Sequence, residues 1–181
     1  MARKHSSALP APATGPSVRD LRGNPLTDPG GLGPERLVGL GFRYWVLGRT
    51  TGEIGCWERA WSLYAGMFGV TRATIAVDAL SGWVGALGKC SARSIRVAPA
   101  DCRGFCRDEC IAISMIAACQ HQTCPAMRAC AFALMESCAI DAVTARAQTF
   151  ADTMSGLEQV LSPASIVTAL PSITPANRLP S

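Results

Sequence analysis

Seven of the nine cysteines fall within one short stretch: Cys102, Cys106, Cys110, Cys119, Cys124, Cys130 and Cys138. Thiolates are soft ligands for zinc, copper(I) and iron–sulfur clusters, and they are also redox centres. Any chemistry of this chain is therefore to be sought there first. Cys56 and Cys90 stand apart from the group. A buried cysteine ordinarily behaves as a small apolar residue, so the group also has a plainer reading as packing thiols.

Spacing restricts the metal options. Residues four apart on a helix lie ~6 Å apart along its axis and can share an ion, whereas residues eight apart, at ~12 Å, cannot. Cys102, Cys106 and Cys110 could not share one zinc on a continuous helix, so a tetrahedral site would take Cys106 and Cys110 with Cys130 and one further ligand. If Cys102 to Cys106 is instead a loop around Gly104, its thiolates and Cys110 could hold an iron–sulfur cluster, with Arg103 and Arg107 favouring the thiolate form. A second candidate is the turn carrying Cys119, His121 and Cys124. An antiparallel helical hairpin about residues 121–123 would also set Cys119 opposite Cys124, Cys110 opposite Cys130, and Cys102 opposite Cys138. Facing thiols of that kind suit copper(I). The candidate ligands are thus Cys102, Cys106, Cys110, Cys119, His121, Cys124 and Cys130, for zinc, copper or an iron–sulfur cluster, or as a redox-sensing thiol set. Paired CxxC motifs of the zinc-ribbon kind do not occur.

Other chemistry has less to work with. The chain has two histidines, His5 and His121, and lacks a glycine-rich phosphate loop, a paired-carboxylate arrangement and a serine elbow. The expectation is a non-enzymatic protein. The stretch from Tyr64 to Ile75 resembles the turn of helix-turn-helix repressors: a small residue, Ala65, then Gly69, Val70 and a hydroxyl residue, Thr71, opening the next helix. That resemblance implies DNA binding, with Thr71, Arg72 and Thr74 facing the groove. Lys89, Arg93, Arg96, Arg103 and Arg107 would add phosphate contacts or simply form a solvated face, whereas Asp78 would repel phosphate.

The elements that must position these residues follow from proline placement and periodicity. Ten of the twelve prolines lie in residues 1–34 and 163–181, and only Pro99 and Pro125 fall between. The expectation is one helical domain over 35–162 with disordered tails at 1–34 and 163–181. A first helix runs from about Glu35 to Leu47, with Gly39 and Gly41 weakening it. A second is opened by a Thr50–Glu53 capping box and stopped by Gly69. It carries Ile54, Trp57, Trp61, Tyr64 and Phe68 on one face, read as core, with a ligand shelf as the alternative. A third, Thr71 to Leu87, turns Ile75, Ala79, Leu80, Trp83, Val84 and Leu87 inward. Ser91 to Ala98 alternates as a link or short strand before Pro99. Asp108 to Cys119 is apolar on all sides and is expected to be the central helix. A fifth helix, capped by Thr123, ends near Cys138, and a sixth, from Asp141 to Leu161, closes the bundle.

Composition sets the outer limits. Hydrophobic residues make up 49%, enough for a core, while charged residues reach 17%, below the usual ~25%. So lean a surface suggests that a protein partner covers part of it. A net charge of +4 permits a polyanion partner without demanding one. Arg3, Lys4 and His5 are not followed by an apolar export segment, and the ten-residue run from Cys110 to Cys119 spans ~15 Å, about half a bilayer core. The expectations are no membrane and a cytoplasmic location, where thiols stay reduced. They combine into an all-α fold, a single irregular five- or six-helix domain with a cysteine-rich hairpin. Its function would be accessory or regulatory, through metal or redox chemistry, with a DNA-binding regulator or an interaction module with inert thiols as alternatives.

Overall fold

The computed structural model describes residues 32–166. The expected tails lie almost wholly outside these residues. Within them the fold is all-α, six helices with no strand among the described residues. α1 spans Pro34–Thr51, α2 Ile54–Phe68, α3 Val70–Cys90, α4 Arg107–Gln120, α5 Cys124–Met135 and α6 Asp141–Gly156, followed by a single 3-10 turn at Pro163–Ser165.

α4 is the centre. Every residue from Ile111 to Cys119 is buried, because the stretch offers no polar stripe to water and can be stable only with neighbours on all sides. α1, α5 and α6 pack around it, and α3 packs on α6 and α2. The core of α6 is Val143, Ala147, Phe150 and Met154, each fully buried. The helix ends at Gly156 rather than Leu161, and the chain folds back so that Leu161 is still buried, at 1% exposure. α5 likewise ends at Met135, with Glu136 in the left-handed region (φ 50°), three residues short of Cys138.

α1 corrects two expectations. It continues past Leu47 to Thr51, so the proposed Thr50–Glu53 capping box does not form. Thr50 Oγ1 instead donates to the carbonyls of Val46 and Leu47 within the last turn. Gly52, at φ 76°, stops the helix in the left-handed conformation that glycine adopts without strain. The interior glycines, read as weak points, are points of close approach. A β-carbon at Gly39 would lie 2.6 Å from the Phe105 ring, and one at Gly48 would lie 2.5 Å from the Trp57 indole. One at Gly41 would overlap Tyr64. Tertiary packing here outweighs the helix-propensity cost of glycine, about 1 kcal/mol per residue.

α3 is also rotated from the expected setting. Its buried face begins with Ala73 and Ala76, whereas Ile75 is 59% exposed. Trp83, on the same helix, is fully buried between Phe42 (5.3 Å between centroids) and Phe150 (5.6 Å, nearly parallel).

Candidate functional site

Residues 91–106 run as an irregular strap from α3 to α4, with no strand, and two carboxylates at the start of α4 hold it. Glu109 is fully buried and pairs with the equally buried Arg43 of α1 (Nε to Oε1 2.6 Å, Nη2 to Oε2 3.1 Å). It also accepts the backbone N–H groups of Ala98 (3.2 Å) and Cys106 (2.6 Å). The remaining Arg43 donors reach the carbonyl oxygens of Cys102 and Gly104, both at 2.5 Å. Asp108 takes a bidentate pair from Arg93 (2.7 and 3.0 Å) and the N–H of Arg96 (2.9 Å). Burial works against the charged forms of both Arg43 and Asp108, but their ionic hydrogen bonds prevail. The Arg43 pKa is raised and the Asp108 pKa lowered. Arg93, proposed above for phosphate, is thus committed to Asp108 and, on α5, to the Ala133 carbonyl.

This strap decides where the cysteines lie. α4 begins at Arg107 with Cys106 as its N-cap, so Cys102, Cys106 and Cys110 do not share a helix. Cys102 is exposed on the strap, while the Cys106 thiol donates to the Arg96 carbonyl (3.2 Å) and the Cys110 thiol to the Phe105 carbonyl (3.9 Å). Cys130 donates to Ser114 Oγ at 3.5 Å. The register of α4 on α5 therefore sets Ser114, one turn beyond Cys110, against Cys130. Cys138 and Cys102 both lie outside the two helices, so they form no rung of the hairpin. Cys119 is buried, with the thiols of Cys124 and Cys130 in electrostatic range. His121 is engaged elsewhere, its Nε2 lying 2.8 Å from the Leu161 carbonyl oxygen. Among the described residues, no three His, Cys, Asp or Glu side chains converge where one metal ion could sit.

The thiol electrostatics point the same way. Burial pushes the Cys119 thiol up to about 12, and burial also raises Cys56, Cys106 and Cys130 above the ordinary thiol value. At Cys106 the charge of Glu109 adds to this rise, so Arg103 and Arg107 do not impose the thiolate character foreseen for this thiol. Groups held as neutral thiols are poor nucleophiles and poor ligands.

A different set of side chains does gather in one place. Trp45 of α1, Trp57 and Trp61 of α2, and Val77 of α3 line an open groove of about 530 Å³, with Glu58 and Ser62 at its edge. Of the fifteen residues of α2 only Cys56, Ala60 and Tyr64 are buried. The aromatic stripe read as core therefore divides. Tyr64 is fully buried, Trp57, Trp61 and Phe68 are half-buried, and Ile54 is 67% exposed. The signal available in the sequence was the crowding of three tryptophans into residues 45–61 beside the small residue Gly48. Periodicity named the stripe without revealing that its neighbours were too few to cover it.

The proposed DNA-reading residues Thr71, Arg72 and Thr74 are all exposed at the start of α3. Thr74 Oγ1 donates to the Val70 carbonyl of its own helix (3.0 Å). α2 and α3 are joined by Gly69 alone, at φ 76°, whereas the helix-turn-helix unit uses a turn of about three or four residues. Among the described residues no helix is long and apolar enough to cross a membrane. Neither the family models, nor the curated proteins, nor the solved structures compared with this chain include a match to it.

Proposed function

We propose that the protein is a non-enzymatic helical interaction module. Its working surface is the face of α1, α2 and α3 around the tryptophan groove, and the buried cysteines Cys56, Cys119 and Cys130 serve as packing residues. The observation that carries this reading is the open tryptophan groove, continued along the same face of α2 by Ile54, three residues before Trp57 and 67% exposed. Contiguous apolar surface on a folded chain marks a place where a partner docks. The low charged fraction of the chain, 17%, agrees with a surface meant to be partly covered.

The test is site-specific photo-crosslinking in the native host, with the photoreactive residue at position 54, beside the groove on α2, or, as control, at the exposed position 145 on α6. A discrete adduct from position 54, lost when Trp57 and Trp61 are both replaced by serine, is the expected result. Equal adducts from both positions, or none from either, would overturn the reading.

A second reading draws on Cys119 and the exposed Cys124, whose thiols lie within electrostatic range of each other at the α4–α5 turn. Two sulfurs suffice for copper(I), which accepts few soft ligands. Under that reading the turn between α4 and α5 would take up copper(I) anaerobically with loss of thiol titre, and replacing Cys124 by serine would abolish uptake.

A further inference from the structure

We propose that the tryptophan groove recognises a quaternary ammonium group, the trimethylated lysine side chain of a partner polypeptide. This rests on the interaction-module reading and adds the chemistry of the partner. Indole faces are the strongest side-chain acceptors for a cation held over an aromatic ring, and three of the four tryptophans of the chain line this groove. At Gly48 the position of a β-carbon would be 2.5 Å from Nε1 of Trp57 and 2.8 Å from both adjoining ring atoms. Near-equal distances of this kind place Gly48 over the plane of the ring rather than at its edge. One face of Trp57 is thus seated on α1, and the half-buried ring also lines the groove.

The charge around the groove matches a cation. Its lining contains one carboxylate, Glu58, and no basic side chain, and Glu58 makes no ion pair among the described residues. The polar inventory also separates kinds of cation. A primary ammonium carries three donors and strong hydration, and the groove offers it only the Glu58 carboxylate and the Ser62 hydroxyl. A trimethylammonium has no N–H to satisfy and presents methyl groups to the rings, so its desolvation costs less there. Access favours a side chain carried on a polypeptide over an enclosed small molecule. The groove is open along its length, and the exposed Ile54 on the same helix gives the flanking residues of a peptide an apolar surface.

The experiment is a tryptophan-fluorescence titration of the full chain with a short peptide bearing trimethyl-lysine. Its comparisons are the unmethylated peptide, a peptide in which carbon replaces the quaternary nitrogen, and free choline. Saturable binding of the trimethylated peptide is expected, at least about ten-fold tighter than the neutral carbon analogue, the gap a desolvated cation–aromatic contact supplies. Glu58→Gln should weaken binding about three-fold, and Trp57→Ala should abolish it. Gly48→Ala, which displaces the Trp57 ring, should weaken it without unfolding the chain, as circular dichroism would show. Equal binding of the carbon analogue, equal binding of the unmethylated peptide, choline binding as tight as the peptide, or no saturable change would each overturn the proposal. Failure here, with the position-54 crosslink retained, would leave the interaction-module reading in place. Loss of both would remove it.

Discussion

Trp83 and Trp57 sit on neighbouring helices of one small domain, and their surroundings could hardly differ more. Trp83 is enclosed, stacked near Phe150 and tilted against Phe42, with its indole N–H buried and lacking a hydrogen-bond partner among the described residues. Trp57 is half-buried, seated on Gly48 and lining an open groove. The inner side, from α3 across α6 to α4, accepts even an unpaired polar atom for the sake of close packing. The outer side leaves large apolar area uncovered at a free-energy cost of roughly 25 cal/mol per Å². Packing explains the first tryptophan fully and the second only in part, which is why function is sought at the second.

The sharpest way to test this division is to break the sealed side. Replacing Arg43 with methionine should cost about 3–5 kcal/mol, because Glu109 is left charged and buried without its partner and two strap carbonyls lose their donor. Urea unfolding measures it, and a loss below about 1 kcal/mol would show that water reaches the network. The tryptophan pair comes next. Trp83→Ala should cost about 3–5 kcal/mol through cavity formation, whereas Trp57→Ala should cost about 1 kcal/mol or less. Similar losses at both positions would erase the distinction between the two sides.

Smaller effects sharpen it further. In native protein a thiol reagent should modify the exposed Cys102, Cys124 and Cys138 within minutes, while Cys119 and Cys130 react only at the rate of opening. Since burial raises Cys119 from 9.0 to about 12, its contribution to stability is complete below pH 9.0. It is lost as pH climbs towards 12, because the unfolded chain ionises first. Asp108 behaves in the opposite sense. Its lowered pKa stabilises the fold above the ordinary carboxylate value of 3.8 and ceases to do so as pH falls below it. Asp108→Asn should therefore flatten the acid limb of the stability–pH curve. Least of all, Ile75→Ser at an exposed position of α3 should change stability by no more than about 0.5 kcal/mol, as urea unfolding would show.

The central helix was legible because nine successive residues, Ile111 to Cys119, contain nothing more polar than Ser114 and admit only one environment. α6 was legible for the complementary reason, a regular apolar repeat with polar residues between. The thiol register was not. Which residue of α4 meets Cys130 depends on the turn at 121–123, where Gln122 takes a positive φ of 54°. A difference of one helical turn replaced Cys110 with Ser114 as its neighbour. The strap network was similarly hidden. Asp108 and Glu109 look like ordinary acidic residues in the first turn of a helix, and only the fold reveals that arginines from α1 and the strap meet them. The glycines of α1 misled because propensity treats them one residue at a time, whereas Phe105, Tyr64 and Trp57 approach from distant parts of the chain.

The two ends of the folded body are fastened to one another. Glu35, in the first turn of α1, accepts the N–H of Ser162 at 2.7 Å and the hydroxyl of Ser165 at 3.1 Å, while Gln120 and His121 hold Leu161. Topologically the domain is almost a closed ring. A few added residues could splice 166 to 33, and the polypeptide could be reopened at the exposed corner near Cys138 with every helix keeping its neighbours. Such a circular permutant would put fresh ends on the far rim and leave the groove untouched.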